Sequence, residues 1–214
     1  MLSFLFLLLF LFVTPHTQVL DISQVQTVMA PSVLIHAKVY IINPETREIT
    51  KRMIGCSGTF ITPSTVLTAA HCFDLPILDL WIRDTEKHTY SAKLLKIDPT
   101  RDLALIGVVL KQPHSFAKLA LHTQIGEQVI NVGSPFFFEF LVSEGIVMAM
   151  KVPLTPFTAL YTITTAMINP GSGGGGAFNA AGELIGVNTM SIGRFGWAGI
   201  SAAVDITTIK KLLH

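Results

Sequence analysis

From about Val28 onward the chain is cut into short apolar or alternating runs separated by turn-forming residues. Residues 33–42, 59–61, 66–70, 90–97, 103–108, 129–132, 145–150, 160–165, 184–188 and 197–203 have strand length and a high share of β-branched and aromatic side chains. Asn43-Pro44, Thr62-Pro63-Ser64, Asp98-Pro99, Gly133-Ser134-Pro135 and Asn179-Ala180-Ala181-Gly182 are turn signals between them. This is an all-β pattern. Only the end differs: Ile206, Ile209, Leu212 and Leu213 fall at helical spacing beside Lys210 and Lys211, which predicts a short amphipathic helix. The more polar segment 111–127 divides the strands into two groups, giving an N-terminal lobe over 28–115 and a C-terminal lobe over 125–214. Two lobes joined by a linker leave a cleft between them, a usual place for a site.

A length of 214 residues with 50% hydrophobic side chains supplies ample core material. Only 14% of residues are charged and the formal net charge is +1, so the electrostatic footprint of a nucleic-acid or anionic-membrane binder is missing and no nucleic-acid partner is expected. Leu2 to Val13 is nearly unbroken Leu, Phe and Val, followed by Thr14-Pro15-His16-Thr17. That length suits the apolar stretch of a signal peptide over residues 1–18 and falls short of the ~20 residues of a membrane helix. The expectation is a secreted or periplasmic protein with no stable membrane span. No Lys or Arg precedes the run and no small-x-small cleavage site follows it, which leaves an uncleaved anchor as the alternative.

Three segments carry reactive groups. Residues 55–72 deliver His71 at the end of an apolar strand, between Cys56 and Cys72. Taken singly, His71 reads as a satisfied core histidine and the cysteines as two buried thiols. Asp102 opens the apolar run 103–106; alone, it reads as a strand-end cap or a solvated turn residue, as Asp98 does. Residues 168–176 form a glycine-rich loop around Ser172. Attack on a peptide carbonyl by serine needs a base, an acid group that holds the base in one tautomer, and donors for the developing oxyanion. His71, Asp102 and Ser172 are the candidates in that order.

Thr68-Ala69-Ala70-His71-Cys72 resembles the histidine-bearing segment of chymotrypsin-like (trypsin-fold) serine peptidases, and Asp102-Leu103-Ala104-Leu105-Ile106 resembles the segment that carries their aspartate. Ile168-Asn169-Pro170-Gly171 and the glycines after it are similar to the nucleophile loop of the HtrA/Deg branch, whose pattern runs I-N-P-G-N-S-G-G. Residues 132–136, 143–147 and 182–189 continue the likeness, which covers about residues 28 to 214. The resemblance implies two antiparallel β-barrel lobes, a Cys56–Cys72 disulfide and an oxidising compartment. Closing a loop of that length stabilises a fold by roughly 3 kcal/mol in the chain-entropy model. It further implies a secreted serine endopeptidase acting on protein or peptide substrates, with no cofactor; unlike Deg-type relatives, the chain is expected to carry no PDZ domain after the terminal helix, and no metal is expected. Gly171, Gly173 and Gly174 fall in its oxyanion and nucleophile loop.

The nucleophile position admits two registers. Aligned without a gap, the family's asparagine falls on Ser172 and its serine on Gly173, which has no side chain to attack with. A one-residue shift makes Ser172 the nucleophile but puts Pro170, which has no N–H, at the second oxyanion donor. Losing one such donor costs on the order of 100-fold to 1000-fold in rate. The two readings are a peptidase using Ser172 and an inactive homologue that binds or regulates, with Gly173 in the slot. By the same resemblance the pocket base falls on Met167 or, shifted, on Ala166, with walls from 188–192 and 197–201 that include Asn188 and Ser201. None is charged, so a small or apolar side chain is the expected preference.

A purely structural β protein explains the strands but not the His, Asp, Ser order. A zinc enzyme is disfavoured because the seven histidines form no H-x-x-x-H pair and two cysteines alone make no zinc site. His36, His88, His114, His122 and His214 read as surface or strand residues, and Trp81 and Trp197 as core packing.

Overall fold

The computed structural model describes residues 20–192 and 199–213. The leader over 1–18 and Trp197 lie outside the described residues. A short helix, α1 (Ile22–Met29), precedes β1 (Ser32–Ile42), β2 (Ile49–Thr62), β3 (Thr65–Thr68), β4 (Ile77–Asp84), β5 (Thr89–Asp98) and β6 (Leu103–Val108). Then follow β7 (Gln128–Gly133), β8 (Leu141–Pro153), β9 (Leu160–Thr164), β10 (Gly176–Phe178), β11 (Leu184–Ser191), β12 (Ser201–Asp205) and the terminal helix α2 (Ile206–Leu213). The strands close into two antiparallel barrels, in the order β1-β2-β3-β6-β5-β4 and β10-β11-β12-β9-β8-β7. The all-β, two-barrel fold with a short C-terminal helix is the one the sequence predicts.

Alternation explains the cores. Val33, Ile35, Ala37 and Val39 of β1 point to one face and fill the first barrel with Phe60, Val66, Leu80, Ile82 and Ile106. Small residues suit the second barrel, whose interior is Val129, Val147, Ala166, Ala177, Ile185 and Ala203. The opposite faces of β3 and β6 supply Leu67 and Leu103, which join Ile130, Val132, Phe178, Val187 and Val204 in a third apolar cluster shared by both barrels. Val28 of α1 and Ile206, Ile209 and Leu212 of α2 belong to that cluster as well. This seam holds the facing edges of the barrels, and the loops that carry His71, Asp102 and Ser172, at fixed separation. Leu213 stays 37% exposed, so α2 buries three of its four expected apolar positions.

Some elements depart from the sequence reading. β2 begins at Ile49, ten residues before the predicted run, because its first half is an exposed ribbon whose side chains need no apolar pattern. β4 and β10 and the helix α1 were not foreseen. α1 is only eight residues long, about two turns; Asp21 and Gln24 hold it through a reciprocal capping box. Among the described residues no helix is long and apolar enough to cross a membrane.

Candidate active site

β3 ends at Thr68, and a single tight turn, Ala70–Phe73, follows in which Ala69, Ala70 and Cys72 are buried. Burying both neighbours leaves His71 to project outward, its side chain 42% exposed. Cys56 on β2 and Cys72 are disulfide-bonded, with Cα atoms 6.2 Å apart, so the turn is tied to the adjacent hairpin. On the next strand pair, Asp102 closes the β5–β6 turn at φ 54, a left-handed conformation that Asp tolerates better than most side chains. Its side chain is 3% exposed and faces His71.

The pair is fully engaged. Asp102 Oδ1 accepts from the His71 backbone N–H at 2.9 Å, and both carboxylate oxygens lie 2.9–3.0 Å from His71 Nδ1. A carboxylate only accepts, so Nδ1 carries the proton and Nε2 is turned to the cleft. The Asp102 hydrogen bond raises the His71 pKa above its ordinary value; burial opposes the rise, and the charges of Asp102 and Asp74 add to it. Burial also pushes the Tyr161 phenol up to about 12, with the Asp102 charge contributing. Asp98 accepts from Thr100 and Arg101 instead, as a turn cap.

The glycine loop sits between the barrels. Gly174, at φ +85, approaches the first barrel so closely that an added Cβ would fall 2.1 Å from Thr68 Oγ1 and 2.3 Å from the Ser57 carbonyl oxygen. Ser57, beside Cys56, is a residue that sequence reasoning missed. Its hydroxyl donates to the Gly171 carbonyl and accepts from Ser134 N–H, both at 2.8 Å, while its own N–H donates to the Gly173 carbonyl at 2.9 Å. It thereby fastens the loop at two points, and only its place next to the first cysteine could have drawn notice to it.

The loop brings Gly173, not Ser172, to the base. A Cβ built on Gly173 falls 2.6 Å from His71 Nε2. Ser172 is 5% exposed and packs against Gly133, and its Oγ accepts a long contact, 3.4 Å, from Asn169 N–H. Two cavities lie on either side of the loop. One, about 200 Å³, is lined by His71, Ile168, Asn169, Pro170, Gly171, Gly173, Thr189 and Ser191. The other, about 170 Å³, holds Ser172 with Asn131, Gly133, Leu141, Met167 and Asn188 on its wall. Of the expected specificity residues, Met167 and Asn188 line this second cavity, whereas Ala166 is buried in the second-barrel core and Ser201 pairs within the sheet. The cavity beside His71 is bounded instead by Thr189 and Ser191 from the predicted wall 188–192. The N–H groups of Gly171 and Gly173 find no acceptor among the described residues. A metal has no purchase at His71, because the two sulfurs nearest it are joined to each other.

Two closed antiparallel barrels with a histidine–aspartate pair in the cleft define the trypsin-like class. Residues 56–187 match the trypsin-like peptidase domain, and the chain belongs to that family of serine peptidases. It is 36% identical over 155 residues to a probable periplasmic serine endoprotease DegP-like of Pseudomonas savastanoi pv. phaseolicola, covering 70% of this chain and 32% of that protein. It is 33% identical over 133 residues to the mitochondrial serine protease HTRA2 of Bos taurus, covering 59% and 28% respectively. The chain thus spans about a third of the length of these relatives. The solved structure titled HtrA-type protease AlgWS227A with decapeptide has the same fold, with TM-score 0.81 at 21% identity over 89% of this chain and 65% of that one.

Proposed function

We propose that this chain is an exported, peptide-binding member of the serine peptidase family in which Gly173 occupies the nucleophile position. It takes an extended peptide in the His71 cleft, with a small or apolar side chain in the cavity beside Gly173. The observation that carries this reading is the direction of the glycine: its missing Cβ points at His71 Nε2 from 2.6 Å, while the hydroxyl of the adjacent Ser172 belongs to the other cavity. With base, orienter and oxyanion amides retained but no nucleophile, residual catalysis is limited to what positioning and the oxyanion donors give, roughly 10³–10⁴-fold over water. The absence of a carboxylate from the lining, among the described residues, supports the side-chain preference, since a Lys or Arg head group buried there would lack a partner. The apolar leader and the periplasmic DegP-like relatives support export.

A second reading is hydrolysis by a His71–Asp102–Ser172 triad after the loop turns Ser172 toward the base. What favours it is that the named relatives are serine endoproteases and that Ser172 is one residue from the slot. It requires giving up the Asn169 contact and accepting Pro170, without an N–H, as the second oxyanion position. Hydrolysis of a fluorogenic peptide by wild type, Ser172→Ala and Gly173→Ser separates the two. Gly173 lies outside the left-handed region, so a side chain there needs only a small retreat of the imidazole. We expect the first two proteins to be equally inert and Gly173→Ser to gain activity. Wild-type hydrolysis that Ser172→Ala abolishes would establish the triad instead.

A further inference from the structure

We propose that the cleft is a receptor for the free C-terminal carboxylate of a peptide chain. One carboxylate oxygen sits on the amides of Gly171 and Gly173, the other on His71 Nε2–H, and the terminal side chain enters the adjoining cavity. The proposal rests on the reading that Gly173 holds the nucleophile position.

Three observations lead to it. The first is the space: Gly173 and His71 line one cavity, and the room on the Nε2 side of Gly173, where a side chain would begin 2.6 Å from that nitrogen, holds no side chain. In an active peptidase the serine side chain fills it; here a ligand atom can. The second is the donor set. His71, Gly171 and Gly173 line one cavity, neither glycine N–H has an acceptor among the described residues, and no carboxylate lines that cavity. Donors gathered without a counter-anion select an anion, and two backbone amides plus an imidazolium match the two oxygens of a carboxylate. The third is selectivity against the neutral alternatives. A C-terminal amide offers the same carbonyl to the glycine amides but presents an NH₂ group to His71, and an internal peptide bond continues the chain through the space the second oxygen would occupy.

Protonation of His71 decides the strength. Neutral His71 keeps Nδ1–H on Asp102 and turns an Nε2 lone pair toward the ligand, which repels a carboxylate. The charged groups that act on the imidazole are Asp102 and Asp74, both negative, and both favour the protonated form. Binding therefore strengthens as pH falls toward the range in which the ligand's own carboxyl, at about 3.5, begins to protonate.

Two fluorescein-labelled hexapeptides of one sequence ending in Val, one a free acid and one an amide, test this by anisotropy against the full chain. We expect the acid to bind about tenfold or more tightly at pH 6, the worth of one charge-assisted hydrogen bond, with the gap closing toward pH 8.5. His71→Gln should abolish the gap, and Gly173→Ser, which refills the space, should narrow it. Equal binding of acid and amide, or no binding of the acid, overturns the proposal. If the wild type is at the same time inert toward the amide peptide, the empty nucleophile position stands and only the carboxylate receptor falls. Cleavage of the amide peptide that depends on Ser172 removes both.

Discussion

At the scale of single residues, the aspartate acts through the histidine. Asp102 fixes the tautomer with one contact and the ring position with another, so removing its charge should change how His71 titrates without moving the fold. In Asp102→Asn the hydrogen bond that raises the His71 pKa weakens and the burial that lowers it remains. The His71 midpoint, followed by NMR of the imidazole Cε1 proton, should fall below that of the wild type; an unchanged midpoint contradicts the assignment. The sign carries over to stability: a pKa raised on folding means that the protonated pair stabilises the fold fully below the ordinary value of 6.5, and that this is lost as pH rises through the folded value. His71 and Asp102 were legible in the sequence because their motifs are long and ordered. The side on which Ser172 emerges was not, since a run of glycines fixes no direction until it packs against Thr68, Ser57 and Val132.

At the scale of elements, the glycine loop is held from outside itself. Ser57 belongs to β2, yet its hydroxyl and amide bind Gly171, Gly173 and Ser134 of the other barrel. Ser57→Ala leaves the buried Ser134 N–H and the Gly171 carbonyl without partners, at a cost of about 1–3 kcal/mol for each group left unsatisfied. A lower urea midpoint together with faster amide exchange in residues 171–175 is the expected result, and wild-type exchange there would show that the glycines hold the loop unaided. The same limit on legibility applies elsewhere. His88 and His114 read as surface or strand residues, and His88 is exposed, yet the β4–β5 turn and the linker also bring both to the buried Asp84, with Tyr90 donating to the same carboxylate at 2.9 Å. Sequence periodicity reports which face of a strand is buried, not which distant loop covers a polar group.

At the scale of the whole molecule, the short runs foretold an all-β chain, the polar linker two lobes and the family resemblance their closure into barrels, while the seam between them came from strand faces that no sequence pattern singled out. Leu67 and Leu103 are the first barrel's contribution to that seam, and their neighbours Val66 and Ala104 face its own core. The disulfide closes 16 residues of sequence within the first barrel. Replacing Cys56 and Cys72 together by Ala should lower the unfolding free energy by about 3 kcal/mol in the chain-entropy account, read from urea unfolding; no change would mean that the hairpin alone holds the His71 turn. The account as a whole turns on which residue meets the base. Treating the wild-type protein with a fluorophosphonate probe and mapping any adduct by mass spectrometry asks this directly. The account predicts no adduct on the wild type and a stoichiometric one at position 173 of Gly173→Ser, whereas a wild-type adduct on Ser172 would contradict it.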